Sequence, residues 1–222
     1  TGYAWWMQRL ATCFERYEKK YRLTADIDLA GAQWSPAGDS SKPFTGTLDG
    51  DGHTVSNFTV PDGEKTGFFG VMNGTVRNLT LENASFAVES GTLGGLAAEA
   101  AGTFEACTVS GAMSVGGSAT AGGLVGKLTG GSLTGCTADV RIDAQATAAV
   151  GLLAGSLEAG TVEDCVYAGN WNVKNGELFT DLAASNAGAS VTNCLWRDNR
   201  NSDELLSENA QALRQRVLDY SY

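Results

Sequence analysis

The sequence predicts an all-β fold: a parallel β-solenoid of about 28 residues per coil, closed at both ends by a short α-helical cap. Three observations predict it. Cysteine stands at 13, 107, 136, 165 and 194, and the last four are separated by three equal gaps of 29 residues. Glycine fills 29 of 222 positions, nearly double the usual roughly 7%, as corners with positive φ would require. Locally the period is two: Cys136, Ala138, Val140 and Ile142 alternate with Thr137, Asp139 and Arg141, the pattern of a half-buried strand.

Composition removes several functions. With 15 Lys+Arg against 25 Asp+Glu the net charge is −10 and the pI about 4.5, which disfavours nucleic acid as a partner. A single histidine excludes a multi-histidine metal site. No apolar run approaches the roughly 18 residues of a membrane span, so no membrane insertion is expected. The chain opens Thr1-Gly2-Tyr3, without a secretory signal, so any leader lies outside this sequence.

Taken in order, residues 1–22 form the first cap. Tyr3, Trp6, Met7, Leu10, Phe14, Tyr17 and Tyr21 step by 3, 1, 3, 4, 3 and 4, as one face of an amphipathic helix does. The stretch is basic, but packing of the stripe on the first coil explains it better than a membrane surface does. Residues 23–201 are the solenoid. One row of the repeat reads Gly102-Thr-Phe-Glu-Ala-Cys107, Gly131-Ser-Leu-Thr-Gly-Cys136, Gly160-Thr-Val-Glu-Asp-Cys165 and Ala189-Ser-Val-Thr-Asn-Cys194, with Gly74-Thr-Val-Arg-Asn-Leu79 and His53-Thr-Val-Ser-Asn-Phe58 as its earlier copies. A second row is Phe68-Phe69, Leu96-Ala97, Leu124-Val125, Leu152-Leu153, Leu178-Phe179 and Leu205-Leu206. A third is Phe86, Met113, Ile142 and Trp171, followed two residues on by Val88, Val115, Ala144 and Val173. Residues 202–222 are the second cap, with Ser202-Asp203-Glu204 as helix start and Leu206, Ala210, Leu213, Val217 and Tyr220 on one face. The three pieces make one structural domain.

Several motifs then occur in a familiar order. Tyr21-Arg-Leu-Thr-Ala-Asp-Ile-Asp-Leu29, Trp34-Ser-Pro-Ala-Gly38 and Pro43-Phe-Thr-Gly-Thr-Leu-Asp-Gly-Asp-Gly-His-Thr-Val55 resemble the opening of bacterial surface proteins carrying GLUG repeats. Gly67-Phe-Phe-Gly70 and Gly123-Leu-Val-Gly126 are similar to the GLUG motif itself, and Gly151-Leu-Leu-Ala154 is a looser copy. The resemblance covers residues 21 to about 195. It implies a right-handed parallel β-helix in an exported, often wall-attached protein, and it brings no catalytic residue with it. Such repeats also accompany IgA-specific metallopeptidases, whose HExxH zinc motif is absent here.

Candidate chemistry is sparse. Zinc needs paired ligands around one point, whereas Cys107, Cys136, Cys165 and Cys194 would form a column of buried thiols. Parallel Cβ atoms about 4.8 Å apart are also too distant for relaxed disulfides. Cys13 beside the helical stripe reads as packed too. His53 lies in a turn, Asp49-Gly-Asp-Gly-His-Thr, with no Ser or Cys placed beside it for a triad. Asp49 and Asp51 offer oxygen ligands, but a calcium loop would continue with more acids and end in Glu, so a tight turn is the better reading. The outward rows Arg77, Glu105, Thr134, Glu163, Thr192 and Ser110, Asp139, Ala168, Arg197 hold no adjacent acids at the separation a two-carboxylate mechanism needs. Trp171 and Trp196 read as inward, and Trp34 as the best exposed aromatic, although the family pattern makes it structural. Four Asn-x-Ser/Thr sites, at Asn57, Asn73, Asn78 and Asn83, arise from the strand repeat and carry no glycosylation meaning in a bacterial protein.

The expectation is a non-catalytic extracellular or cell-surface module, monomeric, without metal or cofactor. It would act as a rigid spacer or as an adhesive face for host or cell-wall glycans or proteins. The alternative is a polysaccharide-acting lyase or hydrolase with substrate along one outer face.

Overall fold

The structure, a computed structural model, describes residues 16–174 and 182–196. Among the described residues there are 22 strands and no helix. Every ladder is parallel, and the strands assemble into three sheets that run the length of a three-sided solenoid. The short face stacks Lys20–Arg22, Thr47–Asp49, Thr75–Arg77, Thr103–Glu105, Ser132–Thr134, Thr161–Glu163 and Ser190–Thr192. The long face stacks Ile27–Gln33, Thr54–Val60, Thr80–Gly94, Thr108–Gly122, Thr137–Gln145, Val166–Tyr167 and Leu195–Trp196. The third face stacks Phe69–Met72, Ala97–Ala100, Val125–Leu128, Ala154–Leu157 and Ala183–Asn186.

Like side chains superimpose inside. Leu48, Val76, Phe104, Leu133 and Val162 are in register along the short face, and all are buried. On the long face Phe86, Met113, Ile142 and Trp171 align, and so do Val88, Val115 and Ala144. Each fully buried Leu, Val or Phe contributes about 1.5–3 kcal/mol, so the core is distributed evenly along the stack. Aromatic rings concentrate at the N-terminal end. Trp34 stacks on Phe68 at 4.5 Å, and Phe58 meets Phe86 edge-on at 6.1 Å.

Two corner columns show why the backbone needs particular residues. Gly46, Gly74, Gly102, Gly131 and Gly160 stack just before the short face, and a Cβ on any of the last four would strike the carbonyl oxygen of the glycine one coil earlier. Leaving the short face, the chain turns through a left-handed residue in successive coils: Asn78 (φ 52°), Ala106 (49°), Gly135 (61°), Asp164 (53°) and Asn193 (52°). Their amides bridge coils; for example Asn78 N donates to Glu105 O and Ala106 N to Thr134 O, at 3.0 and 2.9 Å. Asparagine, aspartate and glycine tolerate this conformation, whereas alanine pays a steric cost.

Three expectations are corrected. The helix expected over 1–22 does not extend to its end: Tyr17 and Glu18 form a turn, and Lys20–Arg22 is a strand. The exposed backbone edge of Thr47–Asp49 provides hydrogen-bond partners for those three residues, which outweighs the helical spacing of Tyr17 and Tyr21. The solenoid therefore already includes Lys20–Arg22 and does not start at 23. Residues 1–15 of that cap, Leu178-Phe179, and the C-terminal cap 202–222 lie outside the described residues. Second, His53-Thr-Val-Ser-Asn-Phe58 is not a copy of Gly74-Thr-Val-Arg-Asn-Leu79. Thr47-Leu48-Asp49 aligns with Thr75-Val76-Arg77, while Thr54 aligns with Thr80. Third, Leu124-Val125 aligns with Leu153-Ala154, not Leu152-Leu153, and the next copy is Leu182-Ala183.

Candidate functional site

The cysteine column exists. Thr108, Thr137, Val166 and Leu195 donate their amides to the carbonyls of Leu79, Cys107, Cys136 and Cys165 at 2.8–2.9 Å, which places Leu79 and the four cysteines at one rung position. All four are buried free thiols. Cys107, Cys165 and Cys194 Sγ lie 3.6–3.7 Å from the carbonyl oxygens of Val76, Leu133 and Val162 in the preceding coil. Hydrogen bonding to the thiol one coil earlier, reinforced by burial, pushes Cys136 and Cys165 up to about 12. Since the thiolate is the nucleophile and the metal ligand, Cys136 and Cys165 are held in their inert form, whereas the hydrogen bond with Cys136 holds the Cys107 thiol below its ordinary value.

His53 occupies the position before Leu79 in the same column, its carbonyl accepting from Thr80 N. Its Nδ1 lies 3.1 Å from Asp26 Oδ1, which also accepts from Thr54 N at 3.0 Å. The Thr54 amide, and then the imidazole, hold the Asp26 carboxyl below the usual carboxylate range. The pair ties one coil to the next by closing a turn. Asp49 accepts from Asp51 N, from Arg77 and from Asn78 Nδ2, and Asp51 pairs with Arg22. Both carboxylates thus face cations of adjacent coils. Among the described residues no three His, Cys, Asp or Glu side chains gather where they could hold a metal ion.

The outward row of the short face reads Arg22, Asp49, Arg77, Glu105, Thr134, Glu163, Thr192 in register. Its first four members alternate in sign, and cross-coil pairs of opposite charge favour this register. Ser110 aligns with Asp139 on the long face, and Ala168 N donates to Ala138 O, continuing that row as expected. Trp34 is buried, with Nε1 donating to Phe68 O at 2.9 Å. Trp171 is buried, and Trp196 is half-buried against it with ring centroids 4.8 Å apart.

Sequence reasoning missed one feature. A cleft of about 470 Å³ opens between the loop following Trp34 and the turn before Lys65, lined by Pro36, Gly38, Asp39, Ser41, Glu64 and Lys65. The two segments are about one coil apart in sequence, which is the signal that could have joined them. Its polar groups are largely engaged. Asp39 accepts from the Ser41 hydroxyl and from the amides of Ser41 and Lys42, which hold it below the usual range. Lys65 Nζ pairs with Glu99 on the third face.

The GLUG motif family matches residues 117–143, which run from the long face of one coil to the long face of the next and include Gly123-Leu-Val-Gly126. The chain is 40% identical over 127 residues to a protein named halomucin of Haloquadratum walsbyi, covering 49% of this chain and 1% of that protein. It is 41% identical over 71 residues to a putative Gly-rich membrane protein of Evansella cellulosilytica, covering 30% of this chain and 8% of that one. The chain therefore spans only a small part of these relatives. No solved structure matches it significantly. The matched motif occupies one full turn of a stack of equivalent turns, and the motif and the parallel β-solenoid together fit a GLUG-repeat β-helix protein.

Proposed function

We propose that the chain is a non-catalytic, monomeric module of a cell-surface protein, serving as a rigid spacer or an adhesive face and needing neither metal nor cofactor. The observation that carries this reading is how the outer surface is engaged. Arg22 with Asp51, Arg77 with Asp49, Lys65 with Glu99 and Lys127 with Glu158 pair opposite charges between neighbouring coils or at their corners. The eight charges of these four pairs are directed at the stack itself. The names of the two relatives, a halomucin and a membrane protein, support a surface location. Labelling of intact source cells with an impermeant antibody tests it: signal without permeabilisation is expected, and signal only after permeabilisation refutes it. The polysaccharide-acting alternative would put substrate in the cleft beside Asp39 and Glu64. Incubation with uronic-acid and neutral glycans, followed by product analysis, separates the two, since released oligosaccharide would overturn the non-catalytic reading.

A further inference from the structure

The four Asn-x-Ser/Thr sites look alike in sequence but are not alike in the fold. Asn57, Asn78 and Asn83 adopt left-handed φ values of 58°, 52° and 50°. Each also donates its side-chain amide to a neighbouring coil: Asn57 Nδ2 to Asp28, Asn78 Nδ2 to Asp49, and Asn83 Nδ2 to Asn57, at 2.9, 3.3 and 2.7 Å. These three asparagines are part of the repeat, and a sugar on Nδ2 would have to enter a ladder of side chains.

Asn73 is different. It sits at the corner between Phe69–Met72 and Thr75–Arg77, is exposed, and has no left-handed φ. Among the described residues its side-chain amide has no hydrogen-bond partner. Its backbone amide bonds to Phe44 O, and Ala101 N bonds in the same way to Met72 O, so Thr45, Asn73 and Ala101 occupy one corner position in three coils. That position asks for no asparagine, and its two neighbours along the stack are small and exposed. The expectation that all four sites arise from the strand repeat and carry no glycosylation meaning therefore fails at Asn73, whose side chain is exposed at the corner.

We propose that Asn73 is the N-glycan acceptor of this chain, within Asn73-Gly74-Thr75. The co-substrate is a polyprenyl-pyrophosphate-linked glycan bound to an oligosaccharyltransferase. Nδ2 attacks the anomeric carbon, the N–C bond forms as the C–O bond to pyrophosphate breaks, polyprenyl pyrophosphate leaves, and one amide proton passes to a base on the transferase. The other three asparagines remain unmodified in the folded chain, because their amides and backbone are committed to the stack.

The folded chain, incubated with a purified oligosaccharyltransferase and a lipid-pyrophosphate-linked glycan, is read by intact mass and peptide mapping. One glycan per chain on the Asn73 peptide is expected. Asn73→Gln abolishes it without moving the melting temperature, because no native contact is lost. An unmodified chain under conditions that consume a short Asn-x-Thr peptide overturns the proposal, and so does a glycan at Asn57, Asn78 or Asn83. Because the enzyme is supplied, the result does not depend on where the protein resides, so it stands or falls separately from the surface reading.

Discussion

Ala106 holds a left-handed backbone at φ 49° in a column whose other members from Asn78 to Asn193 are asparagine, glycine, aspartate and asparagine. An L-residue with a Cβ loses about 1–2 kcal/mol in that conformation. Ala106→Gly removes the cost but adds freedom to the unfolded chain worth about 0.4–1 kcal/mol, so a net gain of about 0.5–1 kcal/mol is expected. Ala106 is exposed, so no packing is lost. Ala112 provides the internal control: it is also an exposed alanine, but it lies on the long face paired with Arg141 and has no left-handed φ. There the same replacement should lower stability by about 0.5–1 kcal/mol. Thermal and urea unfolding of the two variants should thus move in opposite directions, with Ala106→Gly raising the melting temperature by about 2–3 °C. If both glycine variants lose stability by similar amounts, the corner is not strained, and the explanation offered for its residue choice fails.

Gly102→Ala places a methyl group against the Gly74 carbonyl oxygen, a backbone clash that cannot relax by side-chain rotation. A loss of about 3 kcal/mol is expected in urea unfolding, and an unaltered midpoint would contradict the stacked corner. The hydrogen bond to the thiol one coil earlier pushes Cys136 and Cys165 up to about 12, from 9.0 for an ordinary thiol. Their contribution is therefore complete below pH 9 and is lost as pH climbs toward 12; Cys136→Val/Cys165→Val should flatten the alkaline limb of a melting-temperature profile. For Asp49 the sign reverses. The Asp51 amide, with Asn78 and Arg77, holds its carboxyl below the ordinary 3.8, so its stabilising effect is full above that pH and fades as acid is added. Asp49→Asn should make acid unfolding less steep, a difference readable by circular dichroism between pH 5 and pH 2 (a window of about this breadth follows from such linkage).

The parts of the fold that were legible from sequence are those where one side chain recurs at one rung. Cys107, Cys136, Cys165 and Cys194 fixed the coil length, and Met113, Ile142 and Trp171 fixed a core row, because each fills an equivalent volume in successive coils. Alignment slipped where chemistry recurs at non-equivalent places. Thr54-Val55 looks like Thr75-Val76 but begins the long face, whereas the true equivalent is Gly46-Thr47-Leu48-Asp49, a few residues earlier with the same Gly-Thr start. Leu152 and Leu153 are both buried, so hydrophobicity alone could not choose between registers one residue apart. Tyr17 and Tyr21 step like a helix, yet an open strand edge captured Lys20–Arg22; tertiary pairing prevailed over local spacing. The cleft was illegible because neither bordering loop is unusual by itself, and only the winding brings Asp39 and Glu64 to the same opening.

The spacing of the stack also governs what happens under tension. Successive members of the short face are 28 or 29 residues apart from Thr47 to Ser190, yet adjacent strands are separated by only about 4.8 Å. A coil peeled from either end and drawn out straight would reach about 90 Å at roughly 3.3 Å per residue. Each rung that yields thus releases close to twenty times the height it occupied, and the rungs behind it keep their own hydrogen bonds. A tether built this way would lengthen in discrete steps and absorb a sudden load before the link broke.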